Sequence, residues 1–201
     1  MDDRKLILAS SSPQRKNLMT RAGLKFEIAI SDYEEKMEQF SDPYEMVKEF
    51  ALGKAKSIAD KYPNSIIIGA DTVVSFENKI LGKPHTAENA FNMLKMLNGK
   101  WNSAISGLAI IDTNNSKEVI VTEETRVRIR ALTDEEIWAY VNSGEPLDKA
   151  GAYNENMGSL IIEKMEGDIF NAEGLPLQKL AQILLTEFDY KYWINWPNQN
   201  G

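Results

Sequence analysis

Two residue types that often carry chemistry are scarce in this chain. It contains no cysteine and a single histidine, His85. The lack of cysteine excludes disulfides, zinc and iron–sulfur sites built on thiolates, and thiol catalysis. A Ser–His–Asp triad or a multi-histidine metal site would have to be built around His85 alone. Because His85 follows a proline and precedes a helix cap, we expect it in a surface loop.

Long hydrophobic runs and an excess of positive charge are missing as well. No apolar run approaches the roughly 18 residues of a membrane span, and the first residues lack the apolar core of a signal peptide. With 30 acidic against 23 basic residues the net charge is −7, which disfavours general nucleic-acid binding. We therefore expect a cytoplasmic protein that binds neither membranes nor nucleic acid. A local cluster of Lys and Arg could still bind a small phosphate compound.

The residues that are present predict one α/β domain over residues 1–201. Of these residues 43% are apolar, which is ample for a core without disulfides. Apolar runs predict strands at 5–9, 26–30, 65–70, 73–76, 79–81, 103–112, 118–130 and 160–163. Caps and helical periodicity predict helices at 13–22, 43–62, 86–97, 133–144 and 176–188. The aromatic tail from about residue 188 is expected to dock on the core.

A hydroxyl-rich turn follows the first predicted strand. Ser10, Ser11 and Ser12 lead into a helix that starts with a proline, and Gln14 and Arg15 lie in its first turn. Free backbone N–H groups, hydroxyls and the Arg15 charge would favour an anion there. The alternative, slightly favoured by the local pattern alone, is an ordinary serine cap with a solvated arginine.

Asp71 is the carboxylate that most invites a functional interpretation. It follows a buried apolar run in Gly-Ala-Asp-Thr, and ligands of α/β proteins bind at the carboxyl ends of strands. A capping role is the alternative. However, the residues after Thr72 predict another strand, so no helix is there to cap, and we favour function.

Three lysines could add positive charge to such a site. Lys54 falls in the apolar stripe of the helix at 43–62, where the spacing favours a snorkelling rim residue over a charge directed into a cleft. Lys83 and Lys149 lie in tight turns beside proline or glycine, where lysines are usually solvated. Together with Arg15, these lysines would supply four cations to one phosphate site if the fold brought them together.

A metal, if present, must be held by oxygen ligands because thiols are absent and histidine is scarce. Mg²⁺ or Mn²⁺ fits this requirement, with Glu35 and Asp71 as carboxylate ligands and substrate phosphates completing the shell. The pair Glu34-Glu35 could equally be a solvated turn.

Five segments together resemble the Maf family of nucleoside triphosphate pyrophosphatases. They are LILASSSPQR at 6–15, GADTVV at 69–74, GKP at 82–84, EPLDKAGAY at 145–153 and GLPL at 174–177. The resemblance implies an α/β fold, with a mixed sheet flanked by helices and two lobes around a deep cleft, like that of inosine triphosphatases. It also implies a homodimer and cleavage of the bond between the α- and β-phosphates of a nucleoside triphosphate, which releases pyrophosphate.

The resemblance also assigns roles to individual residues. Asp71 matches the family's catalytic acid, and Glu35 falls where the family has a metal-linked glutamate. Lys54, Lys83 and Lys149 match lysines of the phosphate site. The observations and the resemblance together predict a substrate-binding set of Ser10, Ser11, Ser12, Gln14, Arg15, Lys54, Thr72, Lys83, Lys149 and Asn156.

The motifs around Thr72 are similar to the branch of the family that acts on dTTP and UTP. The chain departs from its pattern in three ways: Gln14 stands for an arginine, Asn156 stands for a glutamine beside a one-residue deletion, and a histidine that is usual near Asn102 is absent. We expect dTTP or UTP as substrate, with Thr72 and Asn156 near the base. The alternatives are a 7-methyl-GTP pyrophosphatase and a nucleotide-binding regulator of cell division that does not hydrolyse its ligand.

Overall fold

The computed structural model describes residues 3–154 and 156–195, and its centre is an open, mixed seven-stranded sheet. The strand order is β2-β1-β3-β5-β6-β7, with β4 paired to β3. Strand β1 runs parallel to β2 and β3, and the other pairs are antiparallel. The strands are β1 (Lys5–Ala9), β2 (Glu27–Ala29), β3 (Ser65–Phe76), β4 (Lys79–Leu81), β5 (Trp101–Asp112), β6 (Lys117–Ile129) and β7 (Ile162–Glu166).

Helices flank this sheet, as the sequence predicts. They are α1 (Pro13–Arg21), α2 (Pro43–Ala59), α3 (Ala87–Leu97), α4 (Asp134–Asn142), α5 (Ile169–Ala172) and α6 (Leu177–Thr186). Side chains of Ser12, Asp42, Thr86 and Thr133 accept backbone N–H groups at the starts of α1 to α4, which satisfies donors that each helix leaves open. The predicted capping box of Thr133 with Glu136 is present.

Alternating residues of the central strands face two different cores. Leu8 and Ile68 pack with α1 and α6 on one face, whereas Ile7 and Ile67 pack with α2 on the other. This period of two is the pattern of a sheet buried on both faces. The start of the predicted aromatic tail docks on the first face, because Phe188 and Tyr190 are buried in the core there. Trp196 of the predicted aromatic tail lies outside the described residues.

The prediction of a strand that stops before Asp71 is wrong. Strand β3 continues through it, because Asp71 pairs with Gly107 of β5 and Thr72 pairs with Ser106. Strand β1 is shorter and reaches only Ile68 on the opposite edge of β3. Asp71 therefore lies within a strand, just past the point where its parallel neighbour ends.

This mismatch of strand lengths leaves a gap in the sheet. On the edge away from β5, β1 pairs with residues 65–68 of β3, and β4 pairs with residues 74–76. Residues 69–73 lie between the two partners. The chain leaves β1 and β4 at this gap, so the turns that follow both strands border it. Within the described residues, no helix is both long and apolar enough to cross a membrane.

Candidate active site

A cleft of about 650 Å³ opens at the gap between β1 and β4. Residues from both faces of β3 line it, because the edge of that strand is uncovered there. Eleven of the twelve residues that the sequence predicts for the site line this cleft; they are Ser10, Ser11, Ser12, Gln14, Arg15, Glu35, Lys54, Asp71, Thr72, Lys83 and Lys149. Asn156 is exposed and is not among the lining residues.

Two carboxylates and a lysine form a group of close ion pairs in the cleft. Lys54 Nζ donates to Asp71 Oδ1 at 2.6 Å and lies 2.7 Å from Glu35 Oε1. The side chains of Lys54 and Asp71 are each 10% exposed, and that of Glu35 is 44% exposed. The snorkelling rim position favoured by the spacing for Lys54 is therefore wrong, since the helix that carries it packs directly against β3.

The electrostatics of this group act mainly on Asp71. Burial raises the pKa of the Asp71 carboxyl above its ordinary value, while Lys54 and Arg15 lower it and Glu35 raises it further. A raised pKa makes the ionised carboxylate a stronger base than a solvated aspartate. Asp71 is thus a buried acid whose affinity for a proton is tuned by two cations and one carboxylate.

Arg15 lies on the opposite side of β3, held by uncharged oxygens. Its Nε donates to the carbonyl of Gly174 at 2.9 Å, and its terminal nitrogens lie 3.4 Å from the hydroxyls of Ser10 and Thr72. Burial lowers the pKa of Arg15, and the charges of Asp71 and Glu35 counteract that shift. These contacts orient the guanidinium without neutralising it, so its charge remains available to an anion in the cleft.

The hydroxyl of Thr72 joins the sheet to the loop after α5. Thr72 Oγ1 lies 2.7 Å from Ser106 Oγ on β5 and donates to the carbonyl of Gly174 at 3.2 Å. Ser106 is fully buried, and the motifs did not identify it. A hydroxyl in the middle of the apolar run 104–111 was the available signal.

The turns that carry Lys83 and Lys149 are fastened to each other by backbone hydrogen bonds. Gly151 N donates to the carbonyl of Gly82, and His85 N donates to that of Leu147. Gly151 has a φ of +70°, and a Cβ on it would lie 2.7 Å from Val74 of β3, so glycine lets this turn lie against the sheet. This packing brings both lysines to the cleft, and His85 is exposed there, as predicted.

Asn154, which the sequence analysis did not select, is an amide that lines the cleft. It is buried, its Nδ2 donates to Glu145 Oε1 at 3.1 Å, and its Oδ1 accepts from Asn156 N at 3.1 Å. The preceding Tyr153 donates to Asn102 Oδ1 at 2.6 Å. These bonds hold Tyr153 and Asn154 in place beside the cleft.

The donor set of Glu35 and Asp71 suits a hard cation. No cluster of three or more His, Cys, Asp or Glu in metal-binding positions occurs among the described residues, so protein side chains alone would not complete a shell. However, two carboxylates already meet around one positive charge, that of Lys54. Mg²⁺ is commonly held by one or two carboxylates together with waters and substrate phosphates. The residues present therefore fit such a cation in the company of a phosphorylated ligand.

Comparison with known proteins identifies one family and a set of relatives that share one name. Residues 5–187 match the Maf family, described as Maf-like protein. The chain is 45% identical over 188 residues to a protein of Alkaliphilus oremlandii, covering 92% of this chain and 97% of the relative. It is 46% identical over 189 residues to one of Thermoanaerobacter sp. (strain X514), covering 93% and 98%. A Geobacillus sp. (strain WCH70) protein is 45% identical over 180 residues, covering 89% and 96%. Each of these relatives is named dTTP/UTP pyrophosphatase.

Proposed function

Because the chain belongs to the Maf family, we propose that it hydrolyses the bond between the α- and β-phosphates of dTTP and UTP. The products are a nucleoside monophosphate and pyrophosphate. The observation that carries the proposal is the meeting of Asp71, Glu35 and Lys54 in a cleft that two further lysines and an arginine also line. The relatives that match along nearly their whole length are named dTTP/UTP pyrophosphatase, which supports this choice of substrates.

The four cations provide the electrostatic part of the reaction. A nucleoside triphosphate carries about four negative charges, and charge grows on the pyrophosphate as it leaves. Arg15 and the lysines at positions 54, 83 and 149 approach the cleft from separate elements, so they surround a polyphosphate chain. Donors fixed before the substrate arrives stabilise this charge without reorganisation during the reaction.

Asp71 is the proposed catalytic base. Its carboxylate orients the attacking water and accepts its proton at Oδ1 or Oδ2. The burial that raises its pKa strengthens it for that role. Lys54 holds the carboxylate in place through Oδ1.

Glu35 and Asp71 are the residues proposed to hold Mg²⁺ or Mn²⁺ with the substrate phosphates. A bound divalent cation supplies charge neutralisation at the phosphate oxygens. Glu35 is the more exposed of the two carboxylates and would be the ligand more accessible from the cleft opening.

Replacing Asp71 tests the catalytic assignment. We expect Asp71→Asn to lower the kcat for pyrophosphate release from UTP by roughly 10²–10⁴-fold, since the amide cannot accept the proton. Asp32→Asn is the matched control, because Asp32 is exposed and its ion-pair distance to Lys61 is 3.7 Å. Turnover by Asp71→Asn within a few-fold of that control would refute the assignment.

For the base, we propose that pyrimidines are preferred over 7-methylguanine. Thr72 sets the shape of the cleft through its bonds to Ser106 and Gly174. The carboxamide of Asn156, two residues beyond the cleft-lining Asn154, offers donors and an acceptor to uracil or thymine through a bridging water. A comparison of kcat/KM for UTP, dTTP, CTP, GTP and 7-methyl-GTP tests this preference. If kcat/KM for 7-methyl-GTP exceeds that for UTP and dTTP by about tenfold, or about 1.4 kcal/mol, the proposed pyrimidine preference is wrong.

We also propose that the enzyme is a cytoplasmic homodimer, as the family resemblance implies. Light scattering at high protein concentration should give the mass of two chains. A mass of one chain under the same conditions would exclude the dimer.

A further inference from the structure

Lys54 occupies an unusual place among the cations of the cleft. Its ammonium lies between Asp71 and Glu35, at 2.6 Å from one carboxylate and 2.7 Å from the other. Those two carboxylates are the proposed ligands of the divalent cation. A side chain of the protein therefore fills the space between the two carboxylates that would hold the cation.

The charges around this position balance without any metal. Glu35 and Asp71 contribute two negative charges, Lys54 contributes one positive charge, and Arg15 acts on both carboxylates as a second positive charge. Adding a divalent cation to this neutral group would leave an excess of two positive charges in a partly buried site, where repulsion is poorly screened. A triphosphate, with about four negative charges, removes that excess.

The position of Lys54 also allows its ammonium to exchange the two carboxylates for phosphate oxygens. Helix α2 is held against β3 where Gly69 leaves room for the carbonyl of Ala51, since a Cβ on Gly69 would lie 2.1 Å from that oxygen. The helix backbone is thus fixed, but four methylenes separate it from the Lys54 ammonium, which lines the same cleft as Arg15 and Lys83. The ammonium can therefore move from the carboxylates to phosphate oxygens while the helix stays in place.

We propose that Lys54 is a placeholder for the divalent cation: it fills the position between Glu35 and Asp71 in the free protein and moves to the phosphates when cation and nucleotide enter together. The inference rests on the proposed function for the identity of the two ligands. It adds a binding order, in which the free protein takes up little Mg²⁺ or Mn²⁺ and the nucleotide brings the cation with it.

Manganese binding without nucleotide tests the proposal directly. Free Mn²⁺ is measured by electron paramagnetic resonance during titration of the whole protein. We expect Lys54→Met to bind Mn²⁺ about tenfold more tightly than the wild type or better, since it exposes two carboxylates without their ammonium. Lys54→Gln is the second variant, for the case in which the methionine form does not fold.

Two lysines serve as controls. Lys83→Met removes the same charge from the cleft, and Lys56→Met removes an exposed lysine of the same helix that pairs with Glu118 at 3.0 Å. Among the described residues, neither lysine forms a hydrogen bond or an ion pair with Glu35 or Asp71, and we expect each variant to change Mn²⁺ affinity by less than about threefold. An equal gain in Lys83→Met would show a general charge effect and overturn the proposal. So would tight Mn²⁺ binding by the nucleotide-free wild type, or no gain in a folded Lys54 variant.

The same titration with α,β-methylene-UTP, which resists cleavage at the bond in question, completes the test. The nucleotide should raise the wild-type affinity for Mn²⁺ and narrow the difference from Lys54→Met; an unchanged difference contradicts the proposed exchange. Pyrophosphate release by the wild type is assayed separately. If the wild type releases no pyrophosphate, the proposed function is refuted. The manganese titration of the nucleotide-free protein still tests the role of Lys54 independently.

Discussion

Thr72 shows how a single hydroxyl connects strand β3 to the rest of the cleft. It contacts Ser106 on β5, the carbonyl of Gly174 and the guanidinium of Arg15. Arg15 in turn donates to that same carbonyl. The arginine is therefore positioned by a small network that depends on one side chain of β3.

Replacing this hydroxyl by a methyl group should weaken catalysis. We predict that Thr72→Val lowers kcat/KM for UTP by about tenfold, because it removes one hydrogen-bond partner each from buried Ser106, the Gly174 carbonyl and Arg15 and so loosens the arginine. Thr72→Ser keeps the hydroxyl and should stay close to wild type. Steady-state kinetics measure kcat/KM for UTP in both variants. Equal kcat/KM values for Thr72→Val and Thr72→Ser would contradict the role of this hydrogen-bond network.

For single residues, the sequence predicted which of them line the cleft better than it predicted which contacts they make there. Asp71 could be selected because its residue type and its neighbours indicate its chemistry, whereas the local pattern at the serine turn slightly favoured an ordinary helix cap. The burial of Lys54 could not be predicted, since its position in an apolar stripe is shared by many rim lysines. It depends on how closely α2 approaches β3, a long-range property that no local pattern contains.

The close packing of helix α2 on β3 and β5 is what brings Lys54 to Asp71. Two glycines on adjacent strands make the contact possible, because a Cβ on Gly69 would lie 2.1 Å from the Ala51 carbonyl and one on Gly107 2.0 Å from that of Val47. These carbonyls belong to the helix backbone, which cannot move aside as the end of a flexible side chain can. The position of the helix therefore depends on the absence of side chains at these two points.

An added methyl group at this contact should be poorly tolerated. We predict that Gly107→Ala lowers the free energy of unfolding by about 3 kcal/mol, since strand and helix must move apart. Gly82→Ala is the comparison, because its Cβ would meet only the flexible end of Met37 at 3.2 Å and should cost about 1 kcal/mol or less. Urea denaturation measures both, and a mild effect at Gly107 would contradict the packing described.

Most elements were predictable, but the continuity of β3 was not. Helix starts were found where a side chain caps the backbone, as at Ser12 and Thr133, because a cap is a local interaction. The polar pair Asp71-Thr72 looked like the end of a strand. It remains in the strand because Gly107 and Ser106 of β5, which are distant along the chain, pair with it.

The whole molecule combines a net negative charge with a cleft in which four cations lie among four carboxylates. The net charge is −7, yet Arg15 and three lysines line the cleft. Attraction of a polyanion must therefore come from charges close to the site, against the sign of the protein as a whole.

This arrangement predicts that catalysis is sensitive to salt. We expect kcat/KM for UTP to fall about fivefold between about 20 mM and about 300 mM NaCl at constant Mg²⁺, since screening shortens the reach of the cleft cations. Lys149→Met should flatten this dependence by removing one of those charges. If kcat/KM is constant or rises with salt in the wild type, the cations do not guide the substrate.

The identity of the products tests the central claim most directly. Phosphorus NMR of the wild-type protein with UTP and Mg²⁺ or Mn²⁺ distinguishes cleavage at the α–β bond from cleavage at the β–γ bond. We predict that signals of UMP and pyrophosphate grow together in equal amounts, with no UDP formed on the way. Formation of UDP and orthophosphate, or tight nucleotide binding without any product, would contradict the account.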